Sequence, residues 1–355
     1  APVNIASRRT SQGLSLIELM IALLIGTILL LGVVQVFGAS RTAYQLSEGM
    51  SRTQENARFA LDYLQRDIRM AGHFGCVNDQ ARSQIPGGLV SHFTANGPTD
   101  FDFSVRGYDN VTPPGITLSP VRVAGTDAIV LRYLAGDGVP VTAIDPGART
   151  IDIAPARWDS LTVAGTPTPV LFGIGDCTYA DVFEATATNA TAGRVTAPAT
   201  VDLGRYSVNT DGGPAMLFRG EALVYYIGLG AGGQPSLWRA RINANGTTAS
   251  EELVEGIENL QFRYGIDRNA PPAFPSGYIA TQGTATDVGT TVDQWRRIGQ
   301  VQVGLLASSP NRAAAAQASQ ITPMLLGEVQ ALPADGRYRA VYESTIALRN
   351  RLYGN

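Results

Sequence analysis

Few side chains in this 355-residue chain are suited to catalysis: it has two histidines, His73 and His92, and two cysteines, Cys76 and Cys177. Their spacing matches no zinc-binding pattern. The sequence lacks the nucleophile elbow G-x-S-x-G, the metalloprotease motif H-E-x-x-H and the glycine-rich phosphate and dinucleotide motifs. A fold could still bring two carboxylates together, but two histidines leave little room for general-base or metal catalysis. We therefore expect no enzyme activity, no bound metal and no cofactor.

A calcium site has one weak indication, the pair of acids Asp100 and Asp102 around a phenylalanine. The surrounding residues lack the third acid, the glycine and the closing glutamate of a calcium-binding loop. The pattern alone does not predict a calcium site.

A different carboxylate, that of Glu18, stands directly before an almost unbroken apolar run over residues 19–37. A helix of about 19 residues is about 28 Å long, close to the hydrocarbon thickness of a bilayer of about 30 Å. An unpaired carboxylate at the edge of such a span costs about 1–3 kcal/mol if it is drawn inward. Glu18 therefore needs either a partner or a position among the lipid headgroups, as in an ordinary signal anchor.

The residues around Glu18 distinguish these alternatives. Residues 8–13 read Arg-Arg-Thr-Ser-Gln-Gly, and residues 14–23 read Leu-Ser-Leu-Ile-Glu-Leu-Met-Ile-Ala-Leu. This stretch resembles the type III signal of type IV pilins and type II secretion pseudopilins, in which a prepilin peptidase cuts after the glycine and methylates the new amino terminus. The resemblance implies cleavage between Gly13 and Leu14, methylation of Leu14, and an assembly role for Glu18 as the fifth mature residue. Leu14 replaces the usual phenylalanine.

The basic pair Arg8 and Arg9 precedes the apolar run, and no comparable cluster follows it closely. By the positive-inside rule the leader is cytoplasmic, and residues beyond about 40 face the periplasm. Because the periplasm is oxidising, a disulfide between Cys76 and Cys177 is the default expectation. Two free buried thiols and a zinc site are the alternatives.

After the apolar run the helical pattern continues to about residue 71. Ala57, Leu61, Leu64 and Ile68 recur at spacings of four, three and four, which places them on one face of a helix. The sequence thus predicts a leader over residues 1–13 and a helix over 14–72, membrane-spanning over about 14–38 and amphipathic over about 39–72. Gly72 then ends the helix.

Residues 73–355 are expected to form a β-rich periplasmic domain with long loops. Short apolar runs bounded by turn residues predict strands over 127–133, 221–227 and 237–242, the last two as a hairpin. Residues 185–213 are rich in Ala, Thr, Asn and Gly and are expected to form an exposed insertion. Only 16% of residues are charged and the net charge is −3, so nothing indicates nucleic-acid binding.

The last hundred residues carry a second pattern. In residues 252–267 the apolar spacing shifts from helical to alternating, which predicts a short helix or turn before a strand. Residues 295–306 predict a strand with Val301, Val303 and Leu305 on one face. Residues 338–351 predict a final strand ending in Leu-Arg-Asn-Arg. These segments resemble the PilW group of minor pilins and, more loosely, J-type pseudopilins.

Together the two resemblances imply an α+β, type IV pilin-like fold: a long amino-terminal helix packed on a large β-rich domain. They imply a structural minor pilin that primes pilus assembly in a tip complex with other minor pilins and a PilY-type adhesin, supporting adhesion and twitching motility. The further partners implied are the major pilin, the prepilin peptidase and the inner-membrane assembly platform. The protein would lie in the inner membrane before assembly and at the pilus tip or cell surface afterwards. The alternatives are a J-type pseudopilin capping a secretion pseudopilus and a membrane-anchored periplasmic enzyme.

Overall fold

The computed structural model describes residues 15–79, 85–163, 168–208, 214–271, 273–313 and 322–351. Its first element is one long helix, α1 (Leu16–Met70), which is followed by a large β-rich part. This architecture confirms the predicted α+β class. The predicted leader, with Gly13, and the adjoining Leu14 lie outside the described residues.

Local sequence explains both ends of α1. Its amino end is capped by Ser15, and no proline interrupts the segment from residue 14 to residue 72. The helix ends at Met70, two residues before Gly72, whose φ of +77° is a left-handed conformation that glycine adopts at little cost. The predicted end of the helix is therefore confirmed to within two residues.

The buried face of α1 is the predicted one. Ala57, Leu64 and Ile68 are fully buried, and Leu61 packs partly buried against the same core. This face contacts a four-stranded antiparallel sheet in the order β15-β14-β16-β19. The strands of this sheet are β14 (Ile257–Asp267), β15 (Ile279–Gly283), β16 (Ile298–Arg312) and β19 (Arg337–Ala347).

A second, larger sheet has the order β3-β8-β7-β11-β5-β6-β10-β9, with β12 and β13 added beside β11 and β4 beside β5. Every pair is antiparallel except β3 with β8. The strands are β3 (Leu89–Ser91), β4 (Val105–Tyr108), β5 (Ala128–Asp145), β6 (Thr150–Ile153), β7 (Leu171–Gly175), β8 (Ala180–Glu184), β9 (Ala187–Asn189), β10 (Arg194–Thr196), β11 (Met216–Leu229), β12 (Pro235–Ile242) and β13 (Thr248–Glu255).

Several short elements complete the described residues. Two small antiparallel pairs are β1 (His73–Phe74) with β2 (Val77–Asn78) and β17 (Met324–Leu325) with β18 (Glu328–Val329). Two one-turn helices, α2 (Ala285–Val288) and α3 (Val292–Trp295), precede β16. Short 3-10 segments lie at Pro155–Leu161, Leu203–Arg205 and Arg349–Arg351.

The three predicted strands of the large sheet are present as parts of β5, β11 and β12. The hairpin between β11 and β12 closes with Leu229 opposite Pro235. In β16, the predicted face of Val301, Val303 and Leu305 is fully buried, as alternation requires. The strand starts at Ile298, because Trp295 ends α3 instead.

Two expectations need correction. No helix forms in residues 252–267: β13 ends at Glu255, Gly256 turns with a φ of +80°, and β14 begins at once. The turn alternative is therefore right, and pairing of β13 with β12 is what favours strand over helix. The expected exposed insertion over residues 185–213 instead forms β9 and β10 in its described part. It buries Val195 and Leu203 in a separate apolar cluster.

Candidate assembly interface

Glu18 caps the helix to which it belongs. Its side chain accepts a hydrogen bond from the Ser15 backbone N–H at 3.1 Å, and the Ser15 hydroxyl accepts one from the Glu18 N–H at 3.2 Å. This reciprocal arrangement is a capping box. The carboxylate also lies at the positive end of the helix dipole. This capping role is not among the predictions made for Glu18, although Ser-x-x-Glu before an apolar run is its recognised signature.

Beyond Glu18, the first half of α1 carries no cover from the rest of the described chain. Its large apolar side chains are half to two-thirds exposed, from 51% at Ile21 to 70% at Phe37. Within the described residues, α1 is the one helix that is long and apolar enough to cross a membrane. Because exposing so large an apolar surface to water is energetically unfavourable, this segment requires a membrane or the apolar surfaces of neighbouring protein chains.

The helix meets the β-rich part at Gly49. A Cβ at this position would lie 3.3 Å from the Cβ of Ser309 in β16, so glycine permits the close approach. Further along, Ala57 and Ala60 are fully buried, and the Asn56 amide donates to the Glu255 carbonyl at 3.0 Å. Residues 49–70 of α1 thus form the packed half of the helix, and the half before residue 49 projects from the domain.

A buried carboxylate, Asp67, joins the packed half of α1 to the large sheet. It accepts hydrogen bonds from the hydroxyls of Tyr225 and Tyr133 and pairs with Arg239 at 3.1 Å. Burial and the Asp67 charge raise the pKa of both tyrosines well above the ordinary value, so both phenols remain protonated donors. Arg239 also pairs with Glu251 at 2.7 Å. The cluster therefore ties α1 to β5, β11 and β12.

The chain end forms a clasp on the carboxyl end of α1. Leu348 is fully buried in the core beneath the helix. The Asn350 amide donates to the Arg69 carbonyl at 3.0 Å, which satisfies one of the free carbonyls at the helix end. Arg351 is buried, pairs with Asp79 at 2.9 Å and donates to the Trp295 carbonyl at 2.6 Å. The strand predicted over residues 338–351 therefore stops at Ala347, and its Leu-Arg-Asn-Arg close leaves the sheet, folds as a 3-10 turn and holds the end of α1.

The two cysteines form the expected disulfide, with their Cα atoms 4.8 Å apart. Cys76 lies in the turn between β1 and β2, and Cys177 lies between β7 and β8. The bond therefore ties the segment directly after α1 to the large sheet. Asp79, the partner of Arg351 in the clasp, follows Cys76 by three residues.

The predicted site residues do not form one centre. Glu18 and Cys76 lie at opposite ends of α1, a helix of 55 residues, which separates them by about 80 Å at the usual rise per residue. Among the described residues, no group of three or more His, Cys, Asp or Glu side chains could hold a metal ion. Asp100, from the weak calcium pattern, instead accepts hydrogen bonds from the backbone N–H groups of Asn96 and Asp102.

The second histidine lies in a structural cluster. His92 contacts Asp181 at 2.5 Å, and Asp181 also accepts hydrogen bonds from Arg205 and Tyr206. Burial alone would raise the pKa of Asp181, but hydrogen bonds from His92, Tyr206 and Arg205 lower it. The carboxylate is therefore ionised and fully engaged, and the cluster holds β3 and β8 to the 3-10 turn before Tyr206.

Comparison with known proteins agrees with this geometry. Residues 224–350 match the family described as Type IV Pilus-assembly protein W, or PilW. Residues 8–34 match the prokaryotic N-terminal methylation motif. No curated protein and no solved structure shows a significant match to the chain. The PilW match starts within β11 and ends in the clasp, and so includes the sheet that carries α1.

A methylation motif at the start of a long apolar helix, with that helix packed on an antiparallel sheet, defines a protein of the type IV pilin-like class. The match of residues 224–350 to PilW indicates which family within this class. Together the two matches support a type IV pilus minor pilin of the PilW family that carries a prepilin signal. Both resemblances inferred from the sequence are thereby confirmed.

Proposed function

We propose that the chain is a structural subunit of the pilus tip, without catalytic activity. In this proposal it joins other minor pilins beneath a tip adhesin, primes assembly of the major pilin, and supports adhesion and twitching motility. The observation that carries the proposal is the uncovered apolar half of α1, with a carboxylate at its start, on a domain matched to PilW. Such a helix is built to move from lipid into a bundle of similar helices.

The route to the filament starts in the inner membrane. The prepilin peptidase removes residues 1–13 and methylates Leu14, and residues 14–72 anchor the chain with residues 73–355 in the periplasm. The apolar stretch of α1 and the methylation motif support membrane anchoring. The assembly platform then transfers the subunit from the membrane to the filament.

Glu18 has two successive partners in this proposal. In the membrane it is satisfied by the Ser15 N–H and the end of its own helix. After cleavage, a free amino group stands next to this cap, and Glu18 pairs with it or with that of a neighbouring subunit. Two opposite charges desolvated together cost less than either alone. The Glu18 carboxylate thus favours the alignment of packed subunits in which an amino terminus lies beside it.

The experiment compares three variants in cells that lack the native protein. Gly13→Val should leave the leader attached, which mass spectrometry detects as the uncleaved mass. Glu18→Ala should be cleaved normally but incorporated poorly into sheared pili. Glu48→Ala changes another acid of α1, which is half-exposed, pairs with Arg52 and lies outside the predicted span, and it serves as the matched control with normal incorporation.

The outcome separates this function from its alternatives. Loss of surface pili in the deletion strain, restored by the unaltered chain and by Glu48→Ala, supports the pilus assignment. A secretion defect with normal pili would favour a J-type pseudopilin instead. Full function of the uncleaved Gly13→Val protein would reject any filament role and favour an anchored enzyme.

A further inference from the structure

A cleft of about 740 Å³ opens beside the ends of β3 and β8, which run parallel. The connection from β3 to β4 and the residues after β8 form most of its wall. The chain after β10 and the turn between β12 and β13 complete it. Its size falls within the range of pockets that bind small ligands. The assembly role proposed above makes no use of this cleft.

A histidine held in a fixed orientation lines the cleft. The His92 side chain is 9% exposed, and its Nε2 donates to Asp181, which also accepts from Arg205 and Tyr206. Because the ionised carboxylate holds the ring proton on Nε2, the neutral ring offers the lone pair of its Nδ1. Within the described residues, Nδ1 has no hydrogen-bond partner. The ring therefore presents one oriented acceptor to a ligand in the cleft.

Two buried charged groups brace the connection from β3 to β4. Arg132 is 2% exposed and donates to the carbonyls of Pro98 and Phe103, each at 2.8 Å. Asp100, which is also 2% exposed, accepts a hydrogen bond from the Asn96 N–H at 2.7 Å. This part of the wall is therefore held in place before a ligand binds, which lowers the entropy lost on binding.

The rest of the lining combines an aromatic ring with polar groups. Phe93 stacks on the buried ring of Phe101, with the ring centres 5.4 Å apart, and its half-exposed ring lines the cleft. Thr94, Thr99 and Glu184 line the cleft as well. In the described part of the chain, neither threonine hydroxyl makes a hydrogen bond and the Glu184 carboxylate makes no ion pair. These groups are available to a ligand.

The charge of the lining disfavours anions. Among the described residues that line the cleft none is an arginine, and the sequence contains no lysine. Glu184 would repel a phosphate or a carboxylate. An ammonium ion has donors only and gives the threonine hydroxyls no acceptor, whereas the hydroxyls of a sugar both donate and accept. A sugar also has an apolar C–H face that suits an aromatic ring.

We propose that the cleft binds a neutral saccharide. The apolar face of the sugar lies against Phe93, and its hydroxyls donate to the Glu184 carboxylate and to Nδ1 of His92. This inference goes beyond the proposed function and does not depend on it, since the purified chain would bind the sugar whether or not a pilus forms.

The test applies the purified full chain, in a detergent without sugar groups, to an array of neutral glycans and their sialylated or sulfated counterparts. We expect binding to neutral glycans and weaker binding to the charged counterparts, because the cleft wall supplies no cation. Neutral hexose glycans and oligomers of N-acetylglucosamine are separate arms, since cell-surface glycans and cell-wall strands are two sources of such a ligand. Saturation-transfer NMR with the tightest-binding neutral oligosaccharide then gives Kd.

Substitutions assign the binding to the cleft. Glu184→Ala removes an ionised acceptor and should raise Kd about tenfold or more, and Thr94→Val removes a neutral hydroxyl and should raise it about threefold. Phe93→Leu keeps apolar bulk but removes the ring, and should also raise Kd. Glu55→Ala changes an exposed acid of α1 and should leave Kd within about twofold. Glu184 and Thr94 are exposed, so thermal unfolding of their variants should match that of the unaltered chain.

Several outcomes would overturn the inference. They are the absence of binding to any neutral glycan, unchanged Kd in Glu184→Ala and Thr94→Val, and tighter binding of the charged counterparts. Binding of spermidine in the same NMR measurement, without binding of any glycan, would show an amine site instead. The pilus proposal would stand in each case, because surface pili and incorporation test it independently of sugar binding.

Discussion

Asp67 offers the sharpest test of how the helix is joined to the sheets. Asp67→Ala removes the one carboxylate of α1 that is buried in the described structure, together with the acceptor of Tyr225 and Tyr133 and one partner of Arg239. The fold offers these phenols little replacement: Tyr225 has only a long contact, 3.5 Å, to the Tyr63 carbonyl. Two phenols and one guanidinium thus lose an acceptor in a poorly hydrated place.

The magnitude follows from these contacts. Leaving a buried donor unsatisfied costs about 1–3 kcal/mol. Breaking a buried ion pair costs about 3–5 kcal/mol, at the low end when the remaining charge keeps another partner. Arg239 keeps its pair with Glu251, and its side chain is 16% exposed. The loss of the Asp67–Arg239 pair therefore contributes little to the change in the free energy of unfolding. We expect Asp67→Ala to lower the free energy of unfolding by about 3 kcal/mol.

The assay is urea unfolding of the full chain in detergent micelles, followed by tryptophan fluorescence, since Trp238 neighbours Arg239. Asp62→Ala, an exposed acid one turn earlier on α1, is the control and should change the free energy of unfolding by less than about 0.5 kcal/mol. In a double-mutant cycle, Tyr225→Phe should cost much less in the Asp67→Ala background than alone, because alanine offers the phenol no acceptor. A change below about 1 kcal/mol for Asp67→Ala, or strict additivity in the cycle, would refute the role assigned to the cluster.

Three further measurements bear on other parts of the fold. Asn350→Ala should speed amide exchange in the last turn of α1 by removing the amide that bonds the Arg69 carbonyl, while the exposed neighbour variant Arg349→Ala should not. Burial raises the pKa of Asp127 to about 6, so its stabilising contribution is complete below pH about 4 and is lost as pH rises through 6. Because asparagine does not titrate, Asp127→Asn should make the free energy of unfolding fall less between pH about 4 and pH about 6. Replacing Cys76 and Cys177 by serine should lower stability by up to about 4.7 kcal/mol, because the bond closes a loop of about 100 residues; an unchanged unfolding midpoint would count against the disulfide as a stabilising link.

Elements with local periodicity could be predicted from the sequence. The helical face of Ala57, Leu64 and Ile68 and the alternation of Val301, Val303 and Leu305 depend only on neighbours within a few positions. Their burial confirms both patterns. The signal at residues 8–13 was likewise legible because its parts are adjacent in the chain, and the methylation motif match includes it.

The contacts that join these elements could not be predicted, because they link distant positions. Asp67 meets Tyr225 across 158 residues and Arg239 across 172. The clasp joins Asn350 to Arg69 across 281 residues. Composition also misled: residues 185–213 look like solvent-exposed loop, yet Val195 is fully buried because pairing with β6 places it over an apolar cluster.

The direction of α1 relative to β16 has a mechanical consequence. In the proposed filament, tension would pull each subunit along its helix, and the packed half of α1 lies alongside β16 over about 30 Å. Load applied along α1 therefore shears all the contacts of its packed half at once, from Gly49 against Ser309 to the Asn350 hydrogen bond at Arg69. It does not break these contacts one after another. The clasp at the far end resists slippage of the helix toward the membrane. The geometry is that of a subunit able to carry force.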